Sequence, residues 1–136
     1  MEDKRGCFEG IKNDISEKEM NKKTIFQKII DKELPADILY EDDEIICIKD
    51  KYPLAPIHLL LIAKKCIESA YEIEDCDFQL LGKIFKKAQD IAREIGVEDN
   101  YRLVTNVGSG AGQSICHLHF HFLSNAHNKK VPQMKE

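Results

Sequence analysis

The segment "HLHFHFL", residues 117–123, places three of the five histidines of the chain at every second position. Successive side chains of a β-strand point to opposite faces of the sheet, so this spacing predicts a strand with His117, His119 and His121 on one face and apolar residues on the other. Such a face is either a chemical site built on imidazoles or the histidine-rich polar side of a half-buried strand. The segments around it decide between these alternatives.

A glycine-rich loop, "GSGAGQS" at residues 108–114, comes shortly before the histidine segment. Glycines allow backbone N–H groups to turn toward a ligand, and such arrangements favour anions, phosphate above all. Alone, the three imidazoles would suit zinc or copper as well as phosphate, and many glycine-rich loops are only turns. Because the two motifs are adjacent, together they favour a phosphate-binding site.

Length and composition limit the class of protein. A chain of 136 residues is expected to form one domain. Its net charge of -4 supplies no basic field for nucleic acid, and no apolar run is long enough to span a membrane. The five cysteines are scattered without a Cys-x-x-Cys pair, which favours a reducing, cytoplasmic compartment.

The hydrophobic pattern divides the chain into three parts. Residues 1–22 are predicted to be a mobile charged extension, residues 23–126 the ordered domain, and residues 127–136 a polar tail. Thr24 and Gln27 fit a capping box, followed by a short amphipathic helix that ends near Pro35. A longer helix is predicted from Asp77 to Ile95, with Gly96 as its stop.

Short β-like segments occupy most of the remaining domain. An acidic turn, "EDDE" at residues 41–44, joins "ILY" (38–40) to "IICIK" (45–49) as an antiparallel hairpin. The segment "IHLLLIA" (57–63) is continuously apolar apart from His58, which predicts burial on both faces. "YRLVTN" (101–106) and the histidine segment bring the number of predicted strands to five.

The sequence resembles the histidine triad family, and within it the Hint branch of nucleoside phosphoramidases. The resemblance rests on His-x-His-x-His at 117–121 and covers roughly residues 22–123. It includes "TIFQKIIDKELPADILYEDDEIICIKD" (24–50), "APIHLLLIAKK" (55–65) and "YRLVTNVGSGAGQSICHLHFH" (101–121). The implied fold is α+β, a HIT-like five-stranded antiparallel sheet with two helices on one face, dimerising into a ten-stranded sheet.

The resemblance also implies a reaction, the hydrolysis of a purine nucleoside 5'-phosphoramidate at its phosphorus-nitrogen bond. His119 would attack the α-phosphorus and form a covalent histidine-nucleotide intermediate, and water would then release AMP or GMP. The main-chain carbonyl of His117 would anchor the attacking ring. His121 and His58 would line the phosphate, and Ser114 would contact the amine leaving group.

The same resemblance assigns nucleotide-binding residues. Asp50 would bind the ribose hydroxyls, although by itself it could equally cap the turn that follows it. The residues implied for the phosphate oxygens are Asn106, Gly112 and Gln113. The residues implied for the apolar walls of the purine pocket are Ile25, Phe26, Ile29 and Ile48. The family prefers an apolar residue where this chain has Lys51. The preference of the pocket for adenine or guanine therefore stays open.

Two further departures concern metals and the C-terminus. Many bacterial relatives carry a zinc site at positions that are Thr24, Gln27 and Cys66 here, so a structural metal is not expected. The resemblance implies no cofactor. The chain has no Trp, so it lacks the Trp-Pro-Pro-Gly-like tail of the Hint branch. Two other functions stay open: a dinucleoside polyphosphate hydrolase, and a non-catalytic nucleotide-binding protein with a regulatory or scaffold role.

Overall fold

The computed structural model describes residues 23–126, where five strands and two α-helices form the domain. The strands are β1 (Ile38–Glu41), β2 (Ile45–Lys49), β3 (Ile57–Ala63), β4 (Arg102–Val104) and β5 (His119–Ser124). The helices are α1 (Ile25–Ile30) and α2 (Phe78–Ile95). The sheet order is β1-β2-β3-β5-β4, and every neighbouring pair is antiparallel. The predicted extension and tail lie outside the described residues.

The long helix α2 confirms the expectation from the apolar spacing. Its buried positions recur three or four residues apart and form one continuous stripe: Leu80, Ile84, Ala88, Ile91, Ala92 and Ile95. Gly96 ends the helix with a φ of 79°, a left-handed conformation that glycine adopts without a steric penalty. No helix within residues 23–126 has the length and apolarity needed to cross a bilayer.

The short helix α1 begins where the sequence predicts and ends earlier. The Thr24 hydroxyl accepts a hydrogen bond of 3.0 Å from the main-chain N–H of Gln27, the contact expected of an N-cap. The predicted extension of the helix toward Pro35 is wrong, because the chain leaves the helix after Ile30. Lys32 then takes a φ of 66°, which is incompatible with a right-handed helix.

The two helices cover opposite faces of the sheet. Alternate residues of β2 and β3, among them Cys47 and Leu61, pack in one buried cluster with the apolar stripe of α2. The residues between them, such as Ile48 and Leu60, pack with Phe26 of α1 on the other face. The expectation of two helices on one face is therefore wrong, because the apolarity of β3 on both faces requires a cover on each side.

The structure confirms β2 and β3 at their predicted bounds and shortens β4. The histidine strand β5 begins at His119, so His117 precedes the sheet instead of lying within it. Leu118 separates the two parts: its N–H donates to the Ile67 carbonyl at 2.7 Å, and its carbonyl accepts from Ala63 N at 3.2 Å. The chain therefore bends just before the strand, and this bend places the His117 carbonyl beside the ring of His119.

Candidate functional site

His119 lies at the start of β5 and has one ring nitrogen anchored. Its Nδ1 lies 2.6 Å from the main-chain oxygen of His117, and since a carbonyl only accepts, Nδ1 carries the proton. The neutral ring then has an unshared electron pair on Nε2, which has no hydrogen-bond partner within residues 23–126. Burial lowers the pKa of His119 below its ordinary value of 6.5. The ring is therefore neutral and oriented at pH 7, with an unshared electron pair on Nε2.

His117 supplies this carbonyl and is itself fixed from the other side. Its Nε2–H donates to the carbonyl of Ala63 at 2.6 Å, and its ring is almost completely buried. Burial lowers its pKa as well. Its ring therefore holds the bend before β5 against the end of β3, while its main chain orients His119.

His58 and His121 form a second pair, joined across the neighbouring strands β3 and β5. Nε2 of His58 lies 3.0 Å from Nδ1 of His121 and 3.4 Å from a carboxylate oxygen of Asp50. Burial lowers the pKa of both rings, and in His58 the Asp50 carboxylate opposes that shift. The ring centroids of His119 and His121 are 5.1 Å apart, so His58, His121 and His119 form one contiguous cluster of imidazoles.

Phe26 of α1 covers the buried side of the histidine cluster. Its ring meets the ring of His119 edge to face at a centroid distance of 4.8 Å and that of His117 at 6.4 Å. Contact with an apolar ring excludes water from these two imidazoles and so contributes to the burial that lowers their pKa values.

The glycine-rich loop is braced from inside by Gln113. The side-chain oxygen of Gln113 accepts from the N–H of Gly108 at 2.8 Å, and its Nε2 donates to the carbonyls of Glu68 and Ile115. These contacts occupy the amide that the resemblance assigns to phosphate binding. Gln113 therefore holds the loop in shape beside β5, and in this structure its amide faces protein groups.

Gly112 and Asn106 lie next to each other at the end of this loop. Gly112 has a φ of 98°, and a methyl group placed on its Cα would lie 3.6 Å from Nδ2 of Asn106. The backbone conformation, rather than lack of space, is therefore what requires glycine. The N–H of Gly112 donates to the carbonyl of Ser109, so it serves the loop itself.

Ser114 is exposed between the loop and the triad. Its hydroxyl makes no hydrogen bond within the described part of the chain, and the main-chain N–H groups of Ser114 and Cys116 have no acceptor there. These donors lie just ahead of His117 in the sequence. They are available to donate to an anion.

The residues implied for the purine pocket differ in how far they are buried. Phe26, Ile29 and Ile48 are buried in the cluster beneath α1, whereas Ile25 is 53% exposed. One carboxylate oxygen of Asp50 accepts from the N–H of Tyr52 at 2.7 Å, so Asp50 does cap the following turn. Its other oxygen is the one near His58, and its side chain is partly exposed.

A metal ion has one candidate position among the described residues. Asp50, His58 and His121 each offer a ligand atom, and these atoms lie within 4.8 Å of one another. However, Nδ1 of His58 accepts a hydrogen bond from the main-chain N–H of Leu54 at 3.0 Å. The proton of the neutral His58 ring must then occupy Nε2, the atom that would bind the metal. The chemistry of this donor set fits hydrogen bonding better than metal binding.

The residues that replace the expected zinc ligands have other roles. Thr24 caps α1, Gln27 donates from its side chain to Asp31 at 3.2 Å, and Cys66 is an exposed free thiol. Thr24 and Gln27 therefore use their polar groups within the first helix.

Sequence reasoning missed several groups that fix the site through the main chain. The Thr105 hydroxyl donates to the carbonyl of His119 at 2.7 Å, the Ala63 carbonyl anchors His117, and the Leu54 N–H anchors His58. Only the side chain of Thr105 carries a sequence signal, a hydroxyl at the end of an edge strand. Carbonyl and N–H groups are common to nearly every residue, so no pattern could identify the other two.

Comparison with known proteins places this fold and site in a defined class. The family model described as "Scavenger mRNA decapping enzyme C-term binding" matches residues 23–135. An uncharacterized HIT-like protein of Chlamydia trachomatis serovar D is 48% identical over 100 residues, which cover 74% of this chain and 90% of that protein.

Solved structures give the same result. A HIT family hydrolase from Clostridium thermocellum has a TM-score of 0.74 at 44% identity, covering 77% of this chain and 92% of its own. One from Legionella pneumophila has a TM-score of 0.74 at 39% identity, covering 81% and 99%. The chain therefore belongs to the histidine triad, or HIT, family, which confirms the resemblance to that family.

Proposed function

We propose that the protein hydrolyses purine nucleoside 5'-phosphoramidates through a covalent nucleotide on His119. The observation that carries this proposal is the hydrogen bond from Nδ1 of His119 to the His117 carbonyl, which leaves Nε2 unprotonated and without a partner among residues 23–126. A neutral imidazole with one anchored nitrogen is a competent nucleophile for phosphorus. The two related structures described as HIT family hydrolases support a hydrolytic role.

The surroundings of His119 suit a phosphoryl group that changes its charge distribution during transfer. His121 lies beside His119, with the buried ring of His58 hydrogen-bonded to it, and the N–H groups of Ser114 and Cys116, which have no acceptor within residues 23–126, precede His117 in the sequence. Such fixed donors stabilise the charge that develops on non-bridging oxygens. Asp50 would hold the ribose with the carboxylate oxygen nearer His58, while its other oxygen caps the turn.

The proposal also specifies that the leaving group is an amine, and we assign Ser114 to contact it. An amine must gain a proton as the phosphorus-nitrogen bond breaks, and a hydroxyl beside it can pass or hold that proton. Ser114 is exposed next to the triad, and its hydroxyl has no partner within residues 23–126. A pyrophosphate leaves as an anion and needs this help much less.

The test compares kcat/KM for three substrates: adenosine 5'-phosphoramidate, a diadenosine polyphosphate and a dinucleotide cap analogue. The proposal expects the phosphoramidate to be preferred. Preference for either of the others would replace it with a polyphosphate hydrolase. Tight binding of AMP without turnover of any substrate would support the non-catalytic alternative, a nucleotide-binding protein.

We also propose that two chains pair by a two-fold axis into a ten-stranded sheet. The edge strand β4 pairs on one side only within the described residues, with β5. On α2, Phe78 and Phe85 are each 57% exposed and lie two turns apart on one side of the helix. Large exposed apolar side chains on one side of a helix, together with an open sheet edge, favour association between copies.

A further inference from the structure

The position of one proton in the site is set by a main-chain group in the loop between β2 and β3. The N–H of Leu54 points at Nδ1 of His58 across 3.0 Å. An amide N–H only donates, so Nδ1 must accept. The neutral ring of His58 therefore carries its proton on Nε2.

The Nε2 proton of His58 determines the tautomer of His121. Nε2 of His58 faces two acceptors, Nδ1 of His121 at 3.0 Å and a carboxylate oxygen of Asp50 at 3.4 Å. The contact with His121 is the shorter one, so Nδ1 of His121 accepts. The proton of the neutral His121 ring must then be on Nε2, which has no hydrogen-bond partner within residues 23–126.

We propose that the main-chain N–H of Leu54 is a positioning group that, through His58, holds His121 with its proton on the outward nitrogen Nε2. The inference rests on the proposed function in one respect, that His121 faces the transferred phosphoryl group. In this state His121 donates a hydrogen bond to a phosphate oxygen without being charged. The opposite tautomer would direct a lone pair at an anion and repel it.

The exposure of the Leu54 side chain supports this assignment. The side chain is 82% exposed, so its packing contributes little to the fold. What the residue supplies to the site is its N–H group, and that group can be removed separately. Proline has no N–H, whereas alanine retains it and removes most of the side chain.

The direct test reads the tautomers of the unmodified protein. Two-bond nitrogen-proton NMR correlations distinguish Nδ1–H from Nε2–H in each imidazole, at a pH above 7 where the rings are neutral. We expect His58 and His121 to be Nε2–H, and His119 to be Nδ1–H. A His58 ring that carries its proton on Nδ1 would overturn the proposal without any variant being made.

The matched variants are Leu54→Pro and Leu54→Ala. We expect Leu54→Ala to retain the tautomers of the unmodified protein, and Leu54→Pro to show a mixture at His58 and His121. The kcat for the phosphoramidate should be about tenfold lower in Leu54→Pro than in Leu54→Ala, at the low end for a displaced proton donor. Unchanged tautomers in a folded Leu54→Pro protein would refute the role of the N–H.

Failure of this inference is distinguishable from failure of the proposed function. If the tautomers are as expected and no phosphoramidate is turned over, the positioning contact stands and the reaction is wrong. If turnover is observed and His58 is Nδ1–H, the reaction stands and the positioning contact is wrong. If Leu54→Pro does not fold, the NMR spectrum of the unmodified protein decides the question.

Discussion

Lowering the pH should destabilise the fold through the four histidines of the site. Burial lowers the pKa of each one, His58, His117, His119 and His121, below 6.5. The unfolded chain therefore binds more protons than the folded chain when the pH falls below 6.5. By linkage, the stability that these rings contribute is fully present above that pH and is lost as the pH falls.

The size of the effect follows from the number of rings. Between pH 7.5 and pH 5.5, a ring that stays neutral in the folded state costs at most about 1.4 kcal/mol, so four cost at most about 5.5 kcal/mol. This limit is a large share of the roughly 5 to 15 kcal/mol that stabilises an ordinary domain. Carboxylates such as Glu41, whose pKa is lowered by Lys32 and Lys64, titrate below this range.

The assay is urea unfolding at the two pH values, with the free energy of unfolding obtained by linear extrapolation. His119→Gln is the matched control, because it removes one titrating ring and should reduce the pH effect by no more than about 1.4 kcal/mol. A free energy of unfolding that changes by less than about 1 kcal/mol between the two pH values would show that the rings are not held neutral by burial.

Three further predictions concern the leaving group, metal content and assembly. Ser114→Ala should lower kcat/KM about 10- to 100-fold for the phosphoramidate and much less for a diadenosine polyphosphate; equal losses would contradict its role. Purified protein should contain no stoichiometric zinc by elemental analysis and should keep its activity in chelator. Light scattering should report a dimer at micromolar concentration, which Phe78→Glu combined with Phe85→Glu should dissociate; a monomeric unmodified protein would refute the interface.

The fold could be predicted from the sequence wherever a periodic pattern was long enough. The apolar spacing from Leu80 to Ile95 predicted α2, and the apolar side chains of residues 57–63 predicted a strand buried on both faces. The early end of α1 could not be predicted, because it depends on the positive φ of Lys32, a residue without a strong preference for that conformation.

In the candidate site, the sequence predicted features that depend on side chains and did not predict those that depend on main-chain hydrogen bonds. The alternation at His119 and His121 predicted a shared face, and the structure places both in β5. His117 lies outside the strand, because the Leu118 main chain bonds to Ile67 and Ala63 at a bend that side-chain periodicity does not encode. Gln113 was expected at the phosphate, and the structure shows its amide bound to loop backbone.

The most direct test of the central claim is to trap the nucleotide on the enzyme. The protein is mixed with adenosine 5'-phosphoramidate, quenched in alkali within the first turnover, digested and analysed by mass spectrometry. We expect one adenylyl group on the peptide that contains His119, and none in His119→Ala, which should also lose turnover. Rapid turnover with no adduct, or an adduct on a different histidine, would contradict this claim.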